Sequence, residues 1–439
     1  MTLRGRSRND LEGGRRILKR DMRVWGVIKD PLYGYISVTE FDRRLIDTRP
    51  LQRLRRIRQL AGSEYVYPGA NHTRFEHSLG VMHLITRFSS NARVAPLLGE
   101  DAEKVRVAAL LHDVGHGPFS HVFESLLEGA GRTHEDMTMW VIQRSEVADV
   151  LSEFGLGAKE IARMAVGKSG NSIADQLIRS AIDADKMDFI VRDNYHTGAG
   201  YGNVDVSRII DAVDAVDGNL AVNVNSLSAL EAFLIARIES FRTVYFHRTS
   251  RAAQIMLVDA LLRASEELDL LGFTSVDDYL RLDDYTTWAL MEGCEACAGI
   301  IDRLKRRDLL KCSYDSEFYT KRRIVPTLFS SDKVRRQLEG QIARMAAIPP
   351  EEVFIDVPTL PSVPYRHSIH LEPMEIPVYR EEEGEKTVLK ASEVSPIIES
   401  LQVFLNILRV YSRAEHREKV RRAARTVFGE PPTSLRISY

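Results

Sequence analysis

The sequence predicts a mainly α-helical fold with a smaller α+β region at its C-terminal end. Apolar residues recur at helical spacing from about residue 39 to about residue 310. Between residues 321 and 388 that spacing gives way to short apolar runs separated by proline-rich turns. The chain has 439 residues, of which 44% are hydrophobic, so it can bury a large core. We therefore expect a polar, flexible tail over residues 1–23, a helical body over 24–320 and an α+β region over 321–439.

Turn and capping residues predict the first elements. Segment 24–38 has turn-forming residues near its middle, which indicates a hairpin, and a helix is expected to begin near Thr39. Thr73 followed by Glu76 has the spacing of a capping box and predicts a helix that continues to residue 88. Later elements follow from periodicity: helices over 172–194, 227–249 and 288–301, strands over 219–224, 353–358 and 367–371, and closing helices over 392–427.

Charge and cysteine content exclude several classes of protein. The chain has 60 Lys plus Arg against 62 Asp plus Glu, so a dedicated nucleic-acid coat is not favoured. The basic runs 303–307 and 417–425 are interpreted as solvated helix faces, with contacts to phosphates of regulatory nucleotides as the alternative. No apolar run approaches the roughly 20 residues that span a bilayer, so no membrane partner is expected. Three cysteines indicate a reducing compartment and a cytoplasmic location, and the Cys294/Cys297 pair is not expected to bind zinc.

An adjacent His112-Asp113 pair is the most informative feature of the sequence. It ends an apolar run whose helical pattern begins near Asp101 and stops at Gly115. A buried carboxylate without a partner costs several kcal/mol or more, and a divalent cation removes that cost by charge and coordination. The pair therefore predicts half of a metal site at the end of a buried helix.

Two further polar residues stand where an amphipathic helix would place apolar ones. Asp185 lies on the apolar stripe of segment 172–194, and its alternative interpretation is a carboxylate paired with Lys186, with Arg192 or with a helix terminus elsewhere. His77 lies in the first full turn of the helix predicted after Thr73, where a lone histidine is more often a satisfied core or surface residue. Both residues are candidate ligands for the same ion.

These four residues together form a recognisable signature. In order they are His77, His112, Asp113 and Asp185, and blocks that extend the pattern occupy residues 47–62, 68–81, 111–121 and 184–193. On these residues the chain resembles the HD superfamily of metal-dependent phosphohydrolases, and within it the deoxynucleoside triphosphate (dNTP) triphosphohydrolases, which include bacterial dGTP hydrolases. The resemblance implies an HD catalytic domain over 24–320 whose helical bundle holds a divalent metal.

The resemblance also implies a reaction. Attack at the α-phosphorus would release a deoxynucleoside and intact inorganic triphosphate, with a divalent ion activating water. It implies that His121 assists the leaving 5′ oxygen, and that His116 and His134 contact phosphates or relay protons. An exposed histidine near a helix start is the alternative for His134. The substrate-binding residues that it implies are Gln59, Leu60, Arg74, Lys186 and Asp193.

The implied substrate contacts divide between phosphate and sugar. Arg74 and Lys186 would clamp the triphosphate, since cationic groups bind phosphate oxygens. Gln59 and Leu60 would lie against the sugar and exclude a 2′ hydroxyl by close packing, while Asp193 would accept a hydrogen bond from the 3′ hydroxyl. A solvated position at a helix end is the alternative for Gln59. The chain also departs from the animal enzymes, because Phe189 stands where they have a phosphate-contacting tyrosine.

A regulatory site and an oligomer are implied in the same way. Asp47, Gln52 and Arg55 match residues that read an activating guanine nucleotide, so GTP or a dNTP is the candidate activator. Gly26 stands where a phosphate-binding lysine would be expected, and a capped helix with a charged face is the alternative. Family active sites close with neighbouring subunits, which implies a homodimer or homotetramer.

The metal and the substrate class stay open at this stage. Two histidines and two aspartates suit manganese, iron, cobalt, nickel or zinc, with magnesium a weaker match to imidazole. The alternative function is an HD phosphohydrolase or phosphodiesterase acting on another nucleotide or on single-stranded nucleic acid. A nucleotide-sensing module without catalysis is a third hypothesis, which the complete ligand set disfavours.

Overall fold

The computed structural model describes residues 23–320, 332–361, 376–401, 404–431 and 437–438. The expected tail therefore lies outside the described residues except for Arg23, and the strand predicted over 367–371 lies outside them entirely. The fold is mainly α-helical with small sheets, as predicted. None of the helices in these ranges combines the length and the apolar character of a bilayer-spanning segment.

Helices make up most of the described chain. In order they are α1 (Glu40–Ile46), α2 (Arg49–Arg53), α3 (Arg74–Ser90), α4 (Ala95–Leu98), α5 (Ala102–Leu111), α6 (His121–Gly129), α7 (His134–Arg144), α8 (Glu146–Glu153), α9 (Ala158–Ala165), α10 (Ser172–Ile178), α11 (Ala184–Thr197), α12 (Val206–Ala212), α13 (Leu227–Ser240), α14 (Arg248–Leu268), α15 (Val276–Tyr279), α16 (Asp284–Gly293), α17 (Ala298–Lys305), α18 (Asp332–Ala346), α19 (Ala391–Val394), α20 (Pro396–Ser400) and α21 (Arg417–Phe428). A π-helical turn, Phe241–Tyr245, follows α13.

The strands form one hairpin and two further sheets. They are β1 (Val24–Asp30), β2 (Gly34–Thr39), β3 (Val213–Val216), β4 (Asn219–Asn223), β5 (Lys311–Thr320), β6 (Phe354–Asp356), β7 (Thr359–Pro361), β8 (Pro377–Glu382), β9 (Glu385–Lys390), β10 (Phe404–Ser412) and β11 (Ile437–Ser438). The hairpin pairs β1 with β2, as predicted. One sheet has the order β11-β5-β10-β6, with β7 also on β10, and the other has the order β3-β4-β8-β9.

The helices that deliver the candidate site pack directly on one another. Helix α3 contacts α5 on one side and α11 on the other. Close approach of α11 requires Gly80, because a Cβ at this position would stand 1.9 Å from Asp188 Oδ1 and 2.5 Å from Arg192 Nη2. Both of these side chains are fully buried. A glycine in the middle of α3 thus trades helix propensity for contact with a buried charged pair.

Several predicted helices differ from the observed ones. Segment 172–194 is two helices, since Asp183 interrupts it and caps α11. The predicted helix over 227–249 breaks at the π-helical turn, and His247 then caps α14. The predicted helix over 288–301 ends at Gly293 and restarts at Ala298, which leaves Cys294 and Cys297 buried in the intervening turn.

The largest difference is at the C-terminal end. The closing helices predicted over 392–427 are interrupted by β10, which lies between β5 and β6 in its sheet. Strand β5 begins before residue 321, so the C-terminal sheet takes a strand from each side of the expected division of the chain. Strands β3 and β4 likewise share a sheet with β8 and β9. The domain boundaries stay a prediction.

Candidate metal centre

Three helices bring the predicted metal ligands together. His77 comes from the first turn of α3, Asp185 from the first turn of α11, and His112 caps the C-terminal end of α5. One ligand atom from each of these three residues lies within 4.8 Å of the other two. Asp113 follows in the turn after α5, and its Oδ1 lies 3.4 Å from His112 Nε2. His77, His112 and Asp185 thus surround one small volume, and Asp113 lies beside it.

Hydrogen bonds to the far nitrogens orient both imidazoles. His77 Nδ1 lies 2.8 Å from Asp188 Oδ2, and His112 Nδ1 lies 2.7 Å from the carbonyl oxygen of Ala109. A carbonyl only accepts, so His112 Nδ1 carries a proton, and Nε2 is the ring nitrogen left to bind an ion. Such outer partners fix the ring orientation of metal-binding histidines in proteins.

The unpartnered Nε2 of His112 indicates where a cation would bind. This atom is buried without a hydrogen-bond partner in the described part of the chain. It faces Asp113 Oδ1 at 3.4 Å and Asp185 Oδ1 at 4.0 Å. This nitrogen and the two carboxylates repel one another unless a proton or a cation lies between them. The donor set of two imidazole nitrogens and carboxylate oxygens fits a divalent transition metal.

Without an ion, a protonated His77 supplies part of the positive charge beside the two carboxylates. Its Nε2 lies 3.0 Å from Asp185 Oδ1 and 3.8 Å from Asp113 Oδ2. Burial lowers the pKa of His77, but the hydrogen bonds with Asp185 and Asp188 outweigh burial and raise that pKa to about 10. The same contacts hold the pKa of Asp185 well below its usual range despite burial. A bound cation would replace the proton on His77 Nε2.

A cationic and histidine-rich wall adjoins the ligands. Arg74 donates from Nη1 to Asp113 Oδ2 at 2.6 Å and from Nε to Ser120 Oγ at 2.7 Å. His116 Nδ1 lies 3.2 Å from Asp113 Oδ1, and burial followed by the nearby Arg74 charge keeps the pKa of His116 well below its usual value. The His116 ring lies 4.5 Å from that of His134 and 5.5 Å from that of His121. The three predicted catalytic histidines thus form one cluster.

Glu124 joins two of these histidines and was not predicted. Its carboxylate lies 2.5 Å from His134 Nδ1 and 3.2 Å from His121 Nδ1. Burial raises the pKa of Glu124, but these two hydrogen bonds outweigh it and hold the pKa well below the usual range. Burial lowers the pKa of His134, and Glu124 more than reverses that effect. The position of Glu124, three residues after His121 on one helix, was the available signal.

Glu124 therefore sets a pH dependence. Because Glu124 raises the pKa of His134, this histidine stays protonated until the pH rises through the raised value. Glu124→Gln removes the negative charge and is expected to move the alkaline limb of the hydrolysis profile to lower pH by about one unit. The measurement is kcat/KM against pH, with the exposed Glu128→Gln on the same helix as control. An equal shift in both variants, or none in either, contradicts the assignment.

The loop between His116 and His121, which begins α6, has a strained backbone. Phe119 and Ser120 both have positive φ values, 58° and 55°. Buried Asp284 accepts from the backbone N–H of Phe119 at 2.6 Å and from that of Arg58 at 2.9 Å. This carboxylate thereby ties the loop to the residue preceding Gln59, and burial raises its pKa to about 6. Strain held by such surrounding contacts is common at functional sites.

The predicted sugar-contacting residues lie in or near a second cluster of side chains. Leu60 is buried in a cluster with Tyr67, Tyr201 and Tyr245, and Gln59 Oε1 is buried without a partner among the described residues. Asp193 is fully buried, with one oxygen 2.7 Å from His72 Nε2 and the other accepting from the Tyr245 hydroxyl. Asp193 is thus already bonded to protein groups, and its contact with a 3′ hydroxyl stays a prediction.

Two further predictions concern Lys186 and the regulatory residues. Lys186 Nζ donates to Asp183 Oδ2 at 2.7 Å. Its contact with a phosphate stays a prediction. Asp47 is exposed and lies 3.2 Å from Arg43 Nη1. Gln52 Oε1 accepts from Arg55 Nε at 3.0 Å, and the Arg55 guanidinium lies 3.6 Å from the centre of the Phe75 ring. Gln52 and Arg55 therefore bond to each other. This is also what the alternative interpretation, a capped helix with a charged face, predicts.

Comparison with known families agrees with this geometry. Residues 74–193 match the HD domain family, which includes all four predicted ligands, and residues 204–435 match the HD associated region. The chain belongs to this HD-domain family. It is 30% identical over 390 residues to protein MJ1154 of Methanocaldococcus jannaschii, covering 86% of this chain and 76% of that protein. The family places the chain among the HD-domain phosphohydrolases.

Two other similarities bear on activity and fold. The chain is 31% identical over 309 residues to the human deoxynucleoside triphosphate triphosphohydrolase SAMHD1, an alignment that covers 59% of this chain and 49% of that protein. The chain thus spans about half the length of this relative. A crystal structure of a hypothetical protein from Aquifex aeolicus superposes with a TM-score of 0.73 at 30% identity, covering 91% of this chain and 99% of that one.

Proposed function

We propose that this HD-domain protein hydrolyses dNTPs to deoxynucleoside and inorganic triphosphate. The observation that carries the proposal is the unpaired His112 Nε2, which faces two carboxylates and adjoins the cluster of Arg74 and three histidines. This arrangement joins a cation site to groups that bind phosphate oxygens and hold protons. The similarity to proteins named dNTP triphosphohydrolases supports the substrate class.

The residues of the chain divide the chemical work. His77, His112, Asp113 and Asp185 would hold the ion. When bound, a divalent ion supplies positive charge near phosphorus and lowers the pKa of water. Arg74, fixed by Ser120 and Asp113, presents a buried Nη2 without a partner among the described residues, and this donor is suited to a phosphate oxygen.

The pKa values of His116 and His134 are shifted in opposite directions, which suits these histidines to different roles. Burial and then the Arg74 charge lower the pKa of His116, which favours the neutral ring as a hydrogen-bond acceptor. Burial lowers the pKa of His134, but the hydrogen bond with Glu124 more than reverses this, which favours His134 as the proton donor. His121 is exposed beside both of them and shares the Glu124 carboxylate. A neutral and a protonated imidazole in contact suit proton transfer to a leaving 5′ oxygen.

The proposal also includes activation by a bound nucleotide. Asp47, Gln52 and Arg55 offer groups that can read a purine edge, although a triphosphate also needs cations. The two basic runs each contribute one residue, Arg307 and Arg417, to a single pocket of about 270 Å³. Its lining residues, which include no carboxylate, are Arg248, Thr249, Arg307, Leu309, Leu310, Lys311, Cys312 and Arg417. This lining suits an anionic ligand, and GTP or a dNTP is the candidate activator. A homodimer or homotetramer is the assembly that the family resemblance implies.

Product analysis tests the proposal. The full chain is supplied with manganese or magnesium and each of the four dNTPs, first singly and then mixed, and products are resolved by phosphorus NMR. The expected products are inorganic triphosphate and deoxynucleoside, with turnover lost when a chelator removes the ion. Activity that needs mixtures or GTP supports the activator. Monophosphate or pyrophosphate as the only phosphate product, or no product under any condition, overturns the proposed reaction.

A further inference from the structure

Asp284, the first residue of α16, joins two segments of the candidate site that lie far apart in the sequence. It is 6% exposed, and its Oδ1 accepts from the backbone N–H of Phe119 at 2.6 Å. Its Oδ2 accepts from the backbone N–H of Arg58 at 2.9 Å, so each carboxylate oxygen holds one segment. Asp284 therefore fixes the spacing between the loop that precedes α6 and the residue that precedes Gln59.

The side chain of Ser120 joins the same two segments. Its Oγ donates to the carbonyl oxygen of Arg58 at 2.6 Å and accepts from Arg74 Nε at 2.7 Å. The backbone of Arg58 is thus held at its nitrogen by Asp284 and at its oxygen by Ser120. These bonds connect Gln59, a candidate for contact with the sugar, to Arg74, a candidate for contact with phosphate.

Two unfavourable features coincide at these contacts. Phe119 and Ser120 are consecutive residues with positive φ values, which residues other than glycine rarely adopt. Burial raises the pKa of the Asp284 carboxyl to about 6, so its ionised form at neutral pH destabilises the fold. Backbone strain that surrounding contacts maintain is concentrated at catalytic and ligand-binding segments. A role in the site explains why both features are kept, because together they set where Arg74 lies relative to Gln59.

The other side of the segment that contains Gln59 does not depend on Asp284. The Gln59 N–H donates to the carbonyl oxygen of His72 at 3.0 Å, and the Arg74 N–H donates to that of Ile57 at 3.0 Å. These bonds hold the segment against the start of α3 whichever residue replaces Asp284. Loss of the Asp284 carboxylate should therefore loosen the segment on its loop side and leave it folded.

We propose that Asp284 is a positioning residue that makes the site selective for deoxyribose over ribose. It acts through the backbones of Phe119 and Arg58, which set the space between Gln59 and the phosphate-binding side of the site. A site that excludes a 2′ hydroxyl by close packing depends on this spacing, because a small displacement opens room for the hydroxyl. This inference rests on the proposed function, since the ligand is taken to be a deoxynucleotide.

The ratio of two affinities separates this role from a structural one. The probes are dATP, whose KM is measured, and ATP, whose inhibition constant Ki against dATP is measured. Neither constant changes when part of the protein is merely unfolded. In Asp284→Asn the amide keeps one oxygen, so one of the two N–H groups loses its acceptor. The control is Asp283→Asn, because Asp283 is also buried but bonds to Arg56 and to the backbone of α16.

Asp284→Asn is expected to raise the KM for dATP and to lower the Ki of ATP, so that the ratio of Ki to KM falls about tenfold. Ser120→Ala removes the other bond to Arg58 and should lower the same ratio. If Asp284→Asn does not fold, Ser120→Ala decides the question. Asp283→Asn should lower Tm, since it breaks a helix cap and an ion pair, and should leave the ratio unchanged.

The remaining outcomes also decide the question. If Asp284→Asn lowers Tm or kcat but keeps the ratio of Ki to KM, Asp284 is structural and the inference is wrong. The inference is also wrong if ATP binds to the unaltered protein as tightly as dATP does. If the unaltered protein hydrolyses no dNTP, the proposed reaction fails, and calorimetric Kd values for dATP and ATP replace KM and Ki. A ratio of Kd values that falls in Asp284→Asn then keeps Asp284 as a selectivity residue, whereas an unchanged ratio, or no binding of either nucleotide, overturns the inference.

Discussion

Asp185→Asn is expected to remove metal binding and to lower hydrolysis at least about a thousandfold, or roughly 4 kcal/mol of transition-state stabilisation. The change is nearly isosteric, but it replaces a carboxylate that lies 3.0 Å from His77 Nε2 and 4.0 Å from His112 Nε2. An amide is a much weaker ligand and brings no negative charge. The Asp185 side chain is 35% exposed, so the fold should tolerate the substitution.

The measurement for Asp185→Asn combines metal content with thermal unfolding. The unaltered protein should bind about one ion per chain and unfold at higher temperature with the ion than with a chelator, since a ligand that binds only the folded state stabilises it. The variant should show neither effect. The control is Asp211→Asn, which removes an exposed carboxylate outside the site. A variant that keeps its metal and its activity would remove Asp185 from the ligand set.

Features that depend on neighbouring residues could be predicted from the sequence, whereas contacts between distant segments could not. The His112-Asp113 pair and the capped start of α3 at Thr73 are local features, and the sequence locates both. Even there the predicted capping box is wrong in detail, because Thr73 makes no side-chain bond to the helix backbone. By contrast, Asp188 is bonded to His77 across 111 residues of chain, and no spacing rule connects them.

Strand β10 was wrongly predicted as part of a helix. Its apolar residues suit a buried helix as well as a buried strand, because a short apolar run does not distinguish the two by periodicity. Pairing with β5 on one side and with β6 and β7 on the other decides the outcome. These partners precede β10 by more than 40 residues, so tertiary context overrides local preference. The metal site was predictable because its ligands form a recognisable set along the chain, whereas the buried Asn406 and Arg409 of β10 do not distinguish a strand from a helix.

Arg192→Met is expected to destabilise the protein by about 3–5 kcal/mol, because it breaks a buried ion pair by removing one partner. Arg192 is fully buried and donates to Asp188 Oδ2 at 2.8 Å, to Asp188 Oδ1 at 3.0 Å and to Asp30 Oδ2 at 2.9 Å. Methionine fills much of the volume but leaves both carboxylates buried and without their cation. Asp188 also orients His77, so metal affinity should fall about 10–100-fold.

The pH dependence of that loss identifies its electrostatic origin. Burial raises the pKa of Asp188, but Arg192 and then His77 outweigh burial and lower the pKa to about 2. A depressed carboxyl pKa stabilises the fold above the unfolded pKa near 4, and this stabilisation is lost as the pH falls toward 2. Urea unfolding should therefore show a smaller difference between Arg192→Met and the unaltered protein at pH 4 than at pH 7. In Arg192→Met/Asp188→Asn one uncompensated charge is gone, so part of the stability should return. A difference that is constant with pH, with no recovery in the double variant, would assign the loss to packing instead.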